Sequence, residues 1–328
     1  MTTAQQCWSP SADLLTLKRR AQLMADVRLF FAQRQEMEVD TPIMSAAAPT
    51  APYLESFATD YIRTDGEHCR YYLHTSPEFA MKRLLAAGSG DIYQIARVFR
   101  NGEQGRYHGP EFVMLEWYRP ALNYHGLMAE VDDLLGTLAA MPAAVKYRYH
   151  ELFQQYLGID IDMADSASLK RYALAAIPAL PADWHSDYDD WLALLMSELI
   201  EPQLAQLNKP VIIYDFPASQ AQLAKTYQNE VGRQVAARFE VYAGGLELAN
   251  GYDECQDANE LRRRFAADNQ RRFQQNKQQM PIDEHLLAAM EAGLPACTGV
   301  ALGLDRLLML ITQAKTIAQV QSFAFERS

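Results

Sequence analysis

Two adjacent glycines, Gly244 and Gly245, constrain this chain more than any other pair of residues. They separate two strand-like runs, 240–243 and 246–250, and a two-residue Gly-Gly loop closes an antiparallel hairpin. Further strands are expected at 70–74, 92–100, 111–118, 211–214 and 298–303. Leu17, Ala21, Met24, Val27 and Phe31 recur at helical spacing, so 12–35 reads as an amphipathic helix. Pro42 then forces extended geometry on Thr41. Shorter helices are expected at 81–87, 259–280 and 304–313. Strands far apart in sequence, mixed with irregularly spaced helices and no βαβ alternation, predict an α+β fold: a mostly antiparallel sheet flanked by helices. The helical stretch 160–207, with Trp191, Leu195 and Leu199 on one stripe, is expected as an insertion beside one core. No Pro/Gly-rich linker divides the chain, so 1–328 reads as a single domain.

Composition excludes several classes. No run of about 18 apolar residues is present, as a membrane span requires. The N-terminus lacks the basic-then-apolar pattern of a secretory signal. Cys7, Cys69, Cys255 and Cys297 are too scattered for a metal motif or a disulfide framework, which points to a reducing cytoplasm. A net charge of −11 weighs against a broad nucleic-acid surface. The basic runs Lys18-Arg19-Arg20 and Arg262-Arg263-Arg264 are expected to be solvated helix faces.

Chemistry collects in three places. Residues 99–112 form a loop rich in glycine and charge, with Arg100, Arg106 and His108. In the strand that follows, period two puts Phe112, Met114, Glu116 and Tyr118 on one face and Val113, Leu115 and Trp117 on the other. The second set is a plain core face. The first aligns an aromatic ring, a carboxylate and a phenol, which core faces seldom do. Arg100 has the planar fork that grips phosphate or carboxylate. In the hairpin, Tyr242 should face Glu247 and Glu240 should face Ala249, leaving Glu240 and Glu247 diagonal on one face. Two close carboxylates repel unless a cation or a proton lies between them, and with nucleotide phosphates they suit Mg²⁺; the alternative is an exposed hairpin with two solvated acids. Glu254 joins that face only if the chain bends at Gly251. Lastly, the glycine-bearing strand 299–303 runs into a helix whose start, with Arg306, favours an anion.

In this order and spacing, the three segments resemble the signature motifs of class II aminoacyl-tRNA synthetase catalytic domains: Pro42 after the long helix as motif 1, 99–118 as motif 2, and Gly303-Leu304-Asp305-Arg306 as motif 3. Thr75-Ser76-Pro77-Glu78, Pro110-Glu111-Phe112 and Glu247-Leu248-Ala249-Asn250-Gly251 are most similar to lysyl-tRNA synthetases. The first helix begins near residue 12, so an N-terminal anticodon-reading OB domain is not expected, and with the acidic charge this weighs against tRNA. The layout resembles the stand-alone lysyl-synthetase paralogues that join (R)-β-lysine to a lysine of translation elongation factor P. That resemblance implies a homodimer built on a six- or seven-stranded antiparallel sheet, using ATP and Mg²⁺.

The resemblance also implies roles. Arg100 and Arg306 would be catalytic. Arg100, Asn101, Gly102, His108, Gly109, Phe112, Glu247, Leu248, Gly303 and Arg306 would meet ATP. Ser76, Pro77, Glu78, Glu116, Tyr118, Asn250, Tyr252, Glu254 and Ala301 would line the amino-acid pocket, and Glu240 and Glu247 would hold Mg²⁺. Three positions depart from the lysyl-synthetase pattern. Gly102 replaces an acid, with Glu103 beside it, and Gly109 replaces an asparagine. Ala301 replaces a glycine, an exchange shared with the β-lysine paralogues. Other readings are a truncated synthetase-like enzyme activating α-lysine for another acceptor, and an inactive regulatory paralogue, which Gly102 and Gly109 alone suggest.

Overall fold

The glycine pair closes the hairpin expected of it. Strand β10 (Gln234–Ala243) turns into β11 (Leu246–Asp253) through Gly244 and Gly245, with φ of 57° and 78°. These values lie in the region that favours glycine. The computed structural model describes residues 8–328 apart from Ala182 and His185; Cys7 therefore lies outside the described residues. Cys69, Cys255 and Cys297 are free thiols.

The other strands are β1 (Met37–Glu38), β2 (Met44–Ser45), β3 (Ala58–Ile62), β4 (His68–Leu73), β5 (Ile92–Phe99), β6 (Glu111–Pro120), β7 (Val145–Arg148), β8 (Val211–Pro217), β9 (Thr226–Gln228) and β12 (Cys297–Gly303). Nine of the twelve form one sheet in the order β1-β5-β6-β12-β11-β10-β8-β7, with β9 also on β10; β2-β4-β3 form a second, small sheet. The large sheet is antiparallel except at its margins, where β1 pairs β5 and β7 pairs β8 in parallel. It therefore exceeds the six or seven strands expected. The two-residue β1 and three-residue β9 carry no periodicity to read, and β7 was not anticipated.

The helices are α1 (Leu14–Ala32), α2 (Glu78–Ala86), α3 (Tyr124–Ala139), α4 (Tyr149–Leu152), α5 (Ser166–Ala176), α6 (Tyr188–Leu195), α7 (Glu201–Leu204), α8 (Ala258–Gln274), α9 (Glu284–Gly293) and α10 (Leu304–Thr312). Asp13 and Asn123 cap α1 and α3 by accepting from the amides of Thr16 and Gly126. One face of the sheet is dry: Val113, Leu115, Trp117, Val300, Leu302, Phe239 and Val241 pack against residues of α1, α3 and α10 such as Phe31, Val131 and Leu307. Burying each such side chain stabilises by roughly 1.5–3 kcal/mol. The helical stretch after β7 has a cluster of its own, where Trp191, Leu195 and Ile200 pack on Val211, Ile213 and Phe216 of β8. The predicted stripe holds at Trp191 and Leu195. Leu199 is only partly buried, because Met196–Ile200 widens into a π-helical turn.

Helix α8 ends at Gln274, six residues short of the expected limit, and Asn276 takes a left-handed φ of 55°. Arg20 is not on a solvated face: its guanidinium is largely buried and bonds Asp305 at 2.5 Å. Arg264 likewise binds the carbonyls of Gln222 and Ala224. No described helix is long and apolar enough to cross a membrane.

Candidate active site

The wet face of the sheet floors a cavity of about 1700 Å³. Strand register sets side chains across it in rows. Glu240 pairs with Asn250, Asn250 with Ala301, Ala301 with Glu116, and Glu116 with Gln94. The next row runs Arg238, Tyr252, Gly299, Tyr118. Residues directly opposite in an antiparallel ladder share a face, so each row is one line of neighbours. Phe112, Met114, Glu116 and Tyr118 line the cavity together, while Val113, Leu115 and Trp117 are buried in the core.

Gly299 is required by this packing. A Cβ there would lie 2.3 Å from Tyr118 Cε1 and 2.7 Å from Glu254 Oε1. Ala301, next on that face, lines the cavity and packs against the small apolar group of Ala96, Val98 and Met114.

One end of the cavity is acidic. Tyr118 OH and Ser76 Oγ each donate to Glu116 at 2.7 Å, and Ser76 Oγ accepts from the Glu78 amide at 3.0 Å. Behind this wall stands Lys82, fully buried, with its ammonium 2.6 Å from both Glu78 Oε1 and Glu254 Oε2. Burial, reinforced by Glu78, pushes the Glu116 carboxyl up to about 7, against the pull of Tyr118, Ser76 and Lys82. Burial likewise carries Glu254 up to about 8, Lys82 opposing and Glu78 adding. The Asn250 side-chain oxygen is buried with no hydrogen-bond partner. Such a site suits ammonium groups.

The other end is cationic. Arg100 lies with its guanidinium carbon 5.1 Å from the Phe112 ring centroid and a terminal nitrogen 3.8 Å from the Glu103 carboxylate, and its Nε is buried without a partner. Arg306 is held by backbone carbonyls, its terminal nitrogen donating to Glu247 at 2.7 Å and its Nε to Tyr107 at 3.3 Å. Burial, with Arg306 and Arg100 adding, lowers the His108 pKa. Two forked cations and a neutral-leaning imidazole suit a phosphate or carboxylate. Asp305, on the same helical turn as Arg306, is engaged by the protein: it accepts from the Val113 amide at 3.2 Å and from Arg20.

The hairpin acids arrive by a route the sequence does not display. Val241 pairs with Ala249 but Tyr242 pairs with Glu247, so Leu248 is an extra residue on β11. This bulge shifts Glu240 to face Asn250, not Ala249. It also reverses the parity of β11, bringing Glu247 to the same cavity wall as Asn250, Tyr252 and Glu254. The bend is thus at Leu248 rather than Gly251. Gly251 has another reason to be glycine: a Cβ would lie 2.4 Å from the Phe239 ring.

Burial and then Glu240 push Glu247 up to about 7, with Arg306, Arg238 and Arg100 opposing. Glu240 itself accepts from Arg238, from Tyr242 OH at 2.6 Å and from Asn250 at 3.3 Å. Two mutually repelling carboxylates beside a cationic end would fit a divalent cation that takes its remaining ligands from phosphate. Among the described residues no three or more His, Cys, Asp or Glu side chains form a metal cluster by themselves.

Pro77, Gly102, Gly109, Leu248 and Gly303 also line the cavity. Asn101 does not: it is exposed, and its amide donates to the Glu55 carbonyl at 2.8 Å. Gly102 has a φ of 82°, so an acid there would be strained in this loop. Glu103 supplies the nearby carboxylate instead. The loop 49–54 walls the cavity and is tied to α8 by Arg272, whose buried guanidinium binds the carbonyls of Ala51, Leu54 and Gln278 and the Glu55 carboxylate. Sequence reasoning passed over both Arg272 and Lys82. The only sign of Lys82 is its place one turn after Glu78, a spacing typical of surface pairs.

A broad antiparallel sheet with helices on its dry face and a charged cleft on the other is the architecture of class II synthetase catalytic domains. The family model for class II tRNA synthetases (D, K and N) matches residues 11–327, and the chain belongs to that family. Membership brings amino-acid activation by ATP, with Mg²⁺, as the family's general chemistry.

Proposed function

We propose that this chain activates (R)-β-lysine as its adenylate and transfers it to the ε-amine of a lysine on translation elongation factor P. One observation supports this most: a single cavity has a cationic end at Arg100 and Arg306 and an acidic end at Glu78, Glu116 and Glu254. A diamino acid has the complementary polarity, its carboxylate toward the arginines and its ammonium groups toward the acids. The layout that resembles the stand-alone lysyl-synthetase paralogues, and the Ala301 shared with them, support the β-amino substrate and the protein acceptor.

In the first step the substrate carboxylate attacks the α-phosphorus of ATP and pyrophosphate leaves. Arg100 offsets the charge gathering on the phosphoryl oxygens. Phe112 and Arg306 bracket the adenine, and His108 and the backbone at Gly109 contact the nucleotide. Glu240 and Glu247 would hold Mg²⁺, which supplies neutralisation of phosphate charge. Glu116, Tyr118 and Glu254 orient the amino acid. In the second step the neutral acceptor amine attacks the adenylate carbonyl, AMP leaves, and one proton is released. Positioning and charge neutralisation account for both steps, with no covalent enzyme intermediate. The proposal includes a homodimer, one catalytic domain spanning 1–328 with 160–207 as its helical insertion, and a cytoplasmic setting.

The test is ATP–pyrophosphate exchange with (R)-β-lysine and α-lysine side by side, followed by transfer to purified elongation factor P. Exchange favouring the β isomer, and a mass gain on the acceptor protein, are expected. Exchange with α-lysine alone would point to a general lysyl-adenylate former. No exchange by the folded chain with Mg²⁺ would overturn the catalytic reading.

A further inference from the structure

Lys82 is charged and fully buried, yet it does not line the cavity. It begins one turn after Glu78 on α2, and its ammonium reaches through to Glu254 just past the end of β11. A buried lysine is costly unless carboxylates face it. Here the two carboxylates it meets both line the cavity. Each gives one oxygen to Lys82: Oε1 of Glu78 and Oε2 of Glu254, both at 2.6 Å. The opposite oxygen of Glu254 stands against the cavity-lining Gly299, where an added Cβ would lie 2.7 Å from it. Glu116, held by Ser76 and Tyr118, is the third acid of this wall. Three carboxylates and one built-in ammonium leave two negative charges when all are ionised.

We propose that Lys82 is a positioning residue that sets amine selectivity: from behind the wall it fixes one oxygen of Glu78 and one of Glu254, so that the remaining oxygens receive an amino acid with two ammonium groups. This deepens the functional reading above and rests on it. The two residual charges match two ammonium groups. An amino acid with a single ammonium leaves a desolvated carboxylate uncompensated, which is the repulsive half of specificity. Without Lys82 the two carboxylates lose their common tether. Their separation, which distinguishes one placement of the amines along a chain from another, is then no longer fixed.

The experiment is ATP–pyrophosphate exchange by the full chain and by K82M, with (R)-β-lysine, α-lysine and the single-amine analogue (R)-3-aminohexanoate. In K82M the KM for both diamino acids should rise more than tenfold, kcat should change less, and the KM for ATP should hold. The preference for diamino over single-amine substrate should shrink by a similar factor. A merely structural lysine would instead reduce the active fraction, lowering apparent kcat with every KM unchanged. An active wild type with K82M unchanged in KM and preference overturns this inference alone. A wild type inactive with every amino acid overturns the functional reading and this inference together.

Should K82M fail to fold, the wild type decides through ¹⁵N-lysine side-chain NMR. Among the described residues Lys82 is the only lysine that is buried, so its ammonium should be the one protected from solvent exchange. That signal should shift on saturation with (R)-β-lysine. A protected signal that stays in place at saturation overturns the proposal.

Discussion

Replacing Gly299 with alanine adds one methyl at the crossing of Tyr118 and Glu254. The added Cβ would fall 2.3 Å and 2.5 Å from two carbons of the Tyr118 ring and 2.7 Å from Glu254 Oε1. Carbon atoms settle near 3.5–4.0 Å, so the ring must retreat by about 1 Å or more. It has little room: Tyr118 is 2% exposed and packs in the cluster with Met81, Leu85 and Leu286. Overpacking of this kind costs about 1–3 kcal/mol. The ring cannot move without drawing its hydroxyl away from Glu116, 2.7 Å distant. Two readouts should therefore change together. Denaturant unfolding should show G299A destabilised by about 1–3 kcal/mol, and pyrophosphate exchange should show a raised KM for the amino acid at constant KM for ATP. G303A is the control on the same strand face, because its Cβ would meet only Arg306 carbons at 3.8–3.9 Å. It should stay within about 0.5 kcal/mol of wild type. Equal stability and equal amino-acid KM in G299A and wild type would refute the assignment of this crossing as the amino-acid floor.

R100A removes a half-buried guanidinium with an unpartnered nitrogen, so exchange should fall about 10²–10³-fold without loss of fold by circular dichroism; a loss under threefold would contradict its role. R272M leaves three carbonyls without their donor and Glu55 with only Lys277, 3.7 Å away, and should destabilise by about 1–3 kcal/mol in denaturant. An unchanged midpoint would show that the loop 49–54 is held by other means. Glu36, Glu116, Glu247 and Glu254 all stand above their ordinary 4.5, at about 8, 7, 7 and 8, chiefly through burial. Each holds its proton more tightly when folded, so its contribution is complete below about pH 4.5 and is lost as pH rises through 7 to 8. The unfolding midpoint should fall between pH 5 and 8.5, and saturating diamino acid should reduce that fall by stabilising the ionised carboxylates. A midpoint that rises over this range would overturn the assignment of these groups. For the same reason the KM for the amino acid should fall from pH 6 to 8.

Much of this was legible in the residues. The alternation through 112–118 separated wet from dry faces correctly because each side chain of β6 meets a uniform layer. The glycine pair located the hairpin because its positive φ values have a local cause. The bulge at Leu248 has no such signature: leucine is an ordinary strand residue, and the irregularity exists only as a relation between two strands. The place of Asn101 outside the cavity lining has a related cause, since it depends on the loop at Glu55, 46 residues earlier. Lys82 and Arg272 were passed over because charge on a helix reads as solvated, and only tertiary packing shows these two enclosed. Helix α3, buried through Leu127, Val131 and Leu138, went unassigned, although Asn123 and its apolar spacing were there to read.

The single additional residue in β11 amounts to a phase change written into a strand. Upstream of Leu248 the even-odd rule places Glu247 on the cavity; downstream it is the opposite parity that places Asn250, Tyr252 and Glu254 there. Excising Leu248 would restore one continuous phase and force a choice: either Glu247 or the trio beyond it must turn into the core. Glu247 and Glu254 can share a wall only because the strand loses count between them. Substitutions on either side of that point should therefore tune nucleotide and amino acid independently, whereas a one-codon deletion at it should remove both.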